Sequence, residues 1–69
     1  MIFVFKTSVQ HRKQANYLIN ELVLSLKISS CNFDLEDCDK ILRMESQIEI
    51  SDLVIKIMGQ HNFICEELF

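Results

Sequence analysis

The stretch CNFDLEDCDKILRME, residues 31–45, indicates the fold most directly, because it has the pattern of two short strands joined by a turn. Apolar side chains alternate with polar ones on both sides of an acidic centre. The inward positions are Cys31, Phe33, Leu35, Leu42 and Met44. Asp37, Cys38 and Asp39 form the predicted turn, since aspartate side chains accept hydrogen bonds from nearby backbone amides.

Extended and helical patterns flank this strand pair on both sides. We expect a strand at Ile2 to Lys6, a helix from about His11 to Leu26, the strand pair at Cys31 to Glu45, a helix at Ser51 to His61 and a last strand at Phe63 to Phe69. This is the order β-α-β-β-α-β. The predicted fold class is α+β, a ferredoxin-like sandwich with two helices on one face of a four-stranded antiparallel sheet. We expect residues 1–69 to form a single domain.

Each predicted helix carries an apolar stripe that should lie on the sheet. In the first helix the stripe is Ala15, Leu18, Leu22 and Leu26, widened by Ile19 and Val23. In the second helix it is Val54, Ile57, Met58 and His61. Ser51 is the predicted N-cap of the second helix, with Ile50 and Ile55 as a hydrophobic staple, and Asn62 suits the left-handed conformation that ends a helix.

The first strand has no polar face. Ile2 and Val4 lie on one side, and Phe3 and Phe5 lie on the other. One of these apolar faces must therefore be exposed, or covered by something outside this chain.

Length and composition exclude several classes of function. With 69 residues the chain is too short to enclose an active-site cavity beside a complete core, and one glycine without any proline leaves no Gly-rich phosphate loop. No apolar run approaches the roughly 20 residues of a membrane span, and no secretory signal is present, so we expect a cytoplasmic protein. Three cysteines at irregular spacing favour reduced thiols.

Charge is distributed unevenly along the sequence. Residues 1–30 carry four basic side chains and one acid, a net of +3, whereas residues 31–69 carry three basic side chains and nine acids, a net of −6. The basic patch of Lys6, Arg12 and Lys13 is small for binding a phosphate backbone, and the acidic remainder would repel nucleic acid. We therefore expect no nucleic-acid partner.

The run Phe33 to Leu42, with Phe5-Lys6-Thr7 before it and Asn62-Phe63 ahead of Cys65-Glu66-Glu67, resembles the heavy-metal-associated domain of small copper chaperones and metal-pumping ATPases. The resemblance covers essentially the whole chain. It implies the same βαββαβ fold and places the family's Met-X-Cys-X-X-Cys metal loop at residues 9–14. Here His11 and Gln14 stand where the two cysteines would be. An imidazole and an amide are poor substitutes for two soft thiolates, and Arg12 and Lys13 between them repel a cation.

Two hypotheses about function follow. The first is a domain that has lost copper binding and works through protein contact or self-association, without catalysis and without a bound cofactor. The second is a metal-binding or trafficking domain in which His11, a weak candidate ligand, is completed by a partner or a second subunit. Contact with a metal-transport protein would fit either one. The candidate partner-binding residues are Lys6, Gln10, His11, Arg12, Lys13, Gln14 and Phe63. We predict no catalytic residues, since no nucleophile motif is present.

Several chemically capable residues have structural roles that fit better. His61 lies on the apolar stripe at a helix end, where it can cap carbonyls, and Phe63 is expected in the core. Cys31 and Cys65 are expected to pack as small hydrophobic residues. Cys38 should be exposed in its turn, which we expect to lie away from the other thiols and from the family's metal loop, without a three-ligand cluster.

Overall fold

The structure is a computed structural model that describes residues 1–68, and it contains six elements in the predicted order. They are β1 (Ile2–Thr7), α1 (Arg12–Ser25), β2 (Ser30–Asp34), β3 (Ile41–Glu45), α2 (Ser51–Gln60) and β4 (Cys65–Leu68). The strands form one antiparallel sheet in the order β2-β3-β1-β4. The α+β class is confirmed, and the arrangement is compatible with a ferredoxin-like fold. Phe69, the predicted last residue of the final strand, lies outside the described residues.

One hydrophobic core lies between the sheet and both helices. The sheet contributes Phe3, Phe5, Phe33, Leu42 and Met44, and the helices contribute Ala15, Leu18, Leu22, Val54 and Met58. This resolves the two apolar faces of the first strand, because Phe3 and Phe5 are buried while Ile2 is 61% exposed. The helices thus cover the phenylalanine face of β1. The opposite face of the sheet, the open face, carries Ile2, Val4 and Lys6.

The predicted stripe of α1 is correct at its centre and wrong at one flank. Ala15, Leu18 and Leu22 are fully buried, but Val23 is exposed. α1 therefore packs along a narrow stripe, and a residue next in sequence to Leu22 already turns towards solvent.

The start of α2 is built differently from the prediction. Ile50 occupies the N-cap and Ser51 is the first helical residue. The Ser51 amide donates to Glu49 Oε1 at 2.8 Å, so a carboxylate two residues upstream satisfies this helix-end amide. The predicted staple is also wrong, since Ile50 is buried while Ile55 is exposed. At the other end Asn62 does adopt the left-handed conformation, with φ 67°.

A fully buried serine, Ser46, joins three segments at the end of the sheet where β3 finishes. Its hydroxyl donates to the Lys27 carbonyl at 3.1 Å and accepts from the Ile48 amide at 3.2 Å. Its amide donates to the Met1 carbonyl at 3.0 Å, and its carbonyl accepts from the Met1 amino group at 2.9 Å. Because buried polar groups need partners, Ser46 holds the chain start and two connections in place.

Replacing Ser46 by alanine should lower the free energy of unfolding by about 1–3 kcal/mol, because buried groups lose a hydrogen-bond partner. Urea unfolding followed by circular dichroism measures this. Ser25→Ala is the control, since Ser25 is an exposed serine at the end of α1. Its removal should cost little. Equal losses in the two variants would contradict the role given to Ser46.

Candidate functional site

Three connections meet at one end of the sheet. The Thr7 amide donates to the Asp39 carbonyl at 3.1 Å, and the Thr7 hydroxyl donates to the Lys40 carbonyl at 2.6 Å. On the other side the Ser8 amide donates to the Ile64 carbonyl at 3.1 Å, and the Ile64 amide donates to Ser8 Oγ at 2.9 Å. The loop between β1 and α1 therefore lies between the acidic turn and the segment that leads into β4.

This geometry corrects the predicted position of the Cys38 turn. We expected the turn to lie away from the loop at residues 9–14, but it adjoins the end of β1 from which that loop leaves. The reason is topological. β1 and β2 both run antiparallel to β3, so they are parallel to each other and their last residues lie at the same end of the sheet.

The resemblance places the family's two cysteines at positions 11 and 14, which both lie at the start of α1. The side chain of Gln14 helps to begin this helix. His11 is the N-cap of the helix, and its amide donates to Gln14 Oε1 at 3.3 Å. The Gln10 amide donates to the same oxygen at 3.4 Å. The oxygen of Gln14 thus accepts from backbone amides that would otherwise lack a partner at a helix end.

Two of the three cations of the basic patch have partners within the domain. Lys6 Nζ lies 4.0 Å from Asp39 Oδ1, the only ion pair within residues 1–68. Arg12 Nη2 donates to the Phe33 carbonyl at 3.3 Å, which ties the start of α1 to the edge strand β2. Lys13 is exposed. The acidic turn therefore offsets part of the positive charge that the sequence places here.

The last candidate, Phe63, is half-buried and packs against the core. Its amide donates to the Met58 carbonyl at 3.0 Å, which holds the segment after α2 against the helix end. His61 lies nearby, with its ring 5.3 Å from that of Tyr17 in an edge-on contact. The core role expected for Phe63 agrees with its packing.

A cluster missed at the sequence level lies in the turn itself. Ligand atoms of Asp37, Cys38 and Asp39 lie within 4.8 Å of one another, which corrects the expectation of no three-ligand cluster. Asp37 Oδ1 accepts from the Asp39 amide at 2.8 Å, as the predicted aspartate turn requires. The sequence signal was simply that the three residues are adjacent in a tight turn.

The three thiols differ in environment. Cys31 and Cys65 are half-buried and pack against the core, as predicted. Burial raises the pKa of the Cys31 thiol to about 11. Burial, with a smaller contribution from the charge of Glu67, raises the pKa of the Cys65 thiol to about 12. Cys38 is exposed in the turn.

Several large apolar side chains face solvent, and the sequence pattern predicted few of them. Ten large hydrophobic residues are more than a third exposed: Met1, Ile2, Tyr17, Val23, Leu24, Ile48, Leu53, Ile55, Ile64 and Leu68. The extremes are Leu24 at 85% and Ile64 at 72%. Ile64 also lines a hollow of about 170 Å³, together with Lys6, Thr7, Ser8 and Glu66.

Comparison with protein-family models, with curated proteins and with solved structures gives no significant match. The resemblance to heavy-metal-associated domains therefore rests on the residues quoted above and on the order of the elements. Neither α1 nor α2 combines the length and apolarity needed to cross a membrane.

The thiol environments predict one fast-reacting cysteine out of three. A thiol is nucleophilic as its thiolate, and the raised pKa of Cys31 and Cys65 keeps both protonated at pH 8. In the folded protein, a thiol-disulfide reagent at pH 8 should therefore show one rapid phase, absent from the Cys38→Ser variant. In denaturant all three thiols should react together. Two or more rapid phases in the folded protein would contradict this assignment.

Proposed function

We propose that this chain is a degenerate relative of the heavy-metal-associated domains that binds another protein and carries out no catalysis. The observation that carries the proposal is the ten exposed large hydrophobic side chains on a domain of this size. Among the apolar side chains of the surface, Ile2, Val4 and Leu68 adjoin on the open face, since Val4 pairs with Leu68 and Ile2 lies two residues from Val4 on the same side of β1. A contiguous apolar patch on a small domain favours a binding role. The resemblance in sequence and the βαββαβ order support the descent.

The chemistry of the loop supports the loss of copper transfer. Monovalent copper is a soft ion that prefers thiolates, and the two corresponding positions hold His11 and Gln14. The amide oxygen of Gln14 already accepts two backbone hydrogen bonds at the start of α1. The neighbouring Lys13 and Arg12 add positive charge where a cation would bind. The chemistry of the loop therefore favours protein contact over copper transfer.

The open face of the sheet favours a protein over a nucleic acid as partner. Single-stranded nucleic acids bind sheets through aromatic side chains on which bases stack. In this sheet Phe3, Phe5 and Phe33 all face the helices and are buried. The open face presents aliphatic Ile2 and Val4 and the side chain of Lys6 instead.

The loss of copper binding can be tested by restoring the ligands. Wild-type protein should fail to take Cu(I) from a chromophoric chelator under reducing conditions, whereas His11→Cys combined with Gln14→Cys should remove one equivalent, because two thiolates then flank the loop. Absorbance of the chelator complex measures both. His11→Ala is the control. Stoichiometric capture by the wild type that disappears in His11→Ala would overturn the proposal in favour of the metal-binding alternative.

Protein contact can be tested with a photo-crosslinking amino acid in the source cell. Placed at Leu24 or at Ile64, the most exposed large hydrophobic positions, it should yield discrete protein adducts. Placed at Glu36, an exposed polar position between β2 and β3, it should yield none. Absence of adducts at both hydrophobic positions would contradict a protein-binding function.

A further inference from the structure

We propose that the free edge of β4 binds an extended, basic segment of a partner protein by adding it to the sheet as a fifth strand. This inference rests on the protein-binding function proposed above and gives it a surface and a ligand chemistry. β4 is an outer strand of the sheet, paired only with β1 among the described residues. A peptide can pair with such an edge through its main chain, while its side chains determine specificity.

The side chains of β4 alternate in a way that defines the ligand. Glu66 pairs with Lys6 and Leu68 pairs with Val4, so both lie on the open face with the preceding Ile64. Ile64 and Leu68 are exposed, and the hollow of about 170 Å³ lies between Ile64 and Glu66. Along this edge, the successive side chains on the open face are therefore apolar, acidic and apolar. The two apolar side chains offer an added strand contacts beyond its main-chain hydrogen bonds.

Glu67 supplies the second charge of the site. It pairs with Phe5 and therefore lies on the helix-facing side, where it is half-buried. The only ion pair in residues 1–68 joins Lys6 and Asp39, so neither Glu66 nor Glu67 has a cation within 4.0 Å. A half-buried carboxylate without a cation gains more from an incoming positive charge than an exposed one.

Charge disfavours a second copy of this chain as the occupant. In a fully overlapped antiparallel pair of β4 strands, Glu66 of each copy would lie opposite Glu67 of the other, and like charges directly opposite destabilise a sheet. The other edge strand, β2, has a main-chain acceptor already engaged, because Arg12 donates to the Phe33 carbonyl. The ligand is thus a foreign segment with cations.

The spacing of the β4 side chains sets the order of residues in that segment. Two consecutive cations point to opposite faces of an added strand, matching Glu66 on the open face and Glu67 on the helix side. Apolar residues two positions from the cation on Glu66 then lie beside Ile64 and Leu68. The expected ligand is a β-branched segment that contains a basic pair between apolar residues.

The test uses a synthetic peptide with the order valine, lysine, arginine, threonine, valine, flanked by threonines, titrated into isotope-labelled protein. Amide shifts should change along Cys65–Leu68. Two further peptides carry methyl groups on the backbone amides of either the odd or the even residues. One of them should lose binding and the other should keep it, because only alternate amides face the partner strand. A peptide with two glutamates in place of the basic pair should not bind.

Charge-neutralising variants of the protein test the ligand chemistry. Glu66→Gln should raise Kd about two- to fivefold, as for an exposed ion pair. Glu67→Gln should raise Kd by about tenfold, because Glu67 is a half-buried residue on the helix-facing side. Glu45→Gln, an equal change of charge on the exposed end of the central strand β3, should leave Kd unchanged.

Several outcomes would overturn this inference. In the peptide titration, these are no binding of the basic peptide, equal binding of the two methylated peptides, or shift changes confined to β2 or the helices. Among the protein variants, it is an equal effect of Glu45→Gln and Glu67→Gln on Kd. If any of these occurs while the crosslinker at Leu24 still gives an adduct, the proposed protein-binding function stands and only the β4 site fails. Loss of adducts at both Leu24 and Ile64 would remove the function itself.

Discussion

Burial of one face of the central strand β1 against the two helices is the constraint on which the rest of the structure depends. β1 is paired on both sides, and Phe3 and Phe5 are almost completely excluded from solvent. Each such side chain contributes about 1.5–3 kcal/mol when it is fully buried. Because side chains alternate along a strand, burying these two rings places Ile2, Val4 and Lys6 on the open face. A shift of one residue in register would put both rings in water.

The same constraint determines which connections share an end of the sheet. With β1 held between β3 and β4, Thr7 at its end bonds to the turn after β2, and Ser8 bonds to the segment before β4. The loop at residues 9–14 is thereby framed by an acidic turn and by exposed Ile64. In this setting His11 and Gln14 form an ordinary helix start. The fold holds this loop without a metal ligand, because hydrogen bonds of Thr7, Ser8 and Gln14 fix the connection from β1 to α1.

The sequence predicted the elements well and their surroundings less well. Alternation and helical spacing depend on neighbours a few residues apart, so the order of the elements and the inward positions of β2 and β3 were correct. Val23 was wrong because a position on a helix stripe says nothing about how wide the covering sheet is. The staple with Ile55 was wrong because Ile50 is itself the N-cap of α2, one residue earlier than predicted. The meeting of the Cys38 turn with the β1 loop follows from strand direction alone and was within reach of sequence reasoning. The edge position of β4 was implied by the predicted ferredoxin-like fold and by no local pattern in β4 itself, because strand order depends on long-range pairing.

The order of the strands also determines where the uneven charge of the sequence lies in the folded domain. The acidic second half of the chain supplies Glu66 and Glu67 to an edge strand, while β1, which carries Lys6, is interior to the sheet. An open edge pairs with any extended chain that reaches it, including another copy of itself. In the fully overlapped antiparallel register, two consecutive carboxylates make self-pairing unfavourable on both faces, and they leave main-chain donors and acceptors available to a strand of opposite charge. Glu66 and Glu67 therefore both repel a second copy of β4 and attract a basic segment.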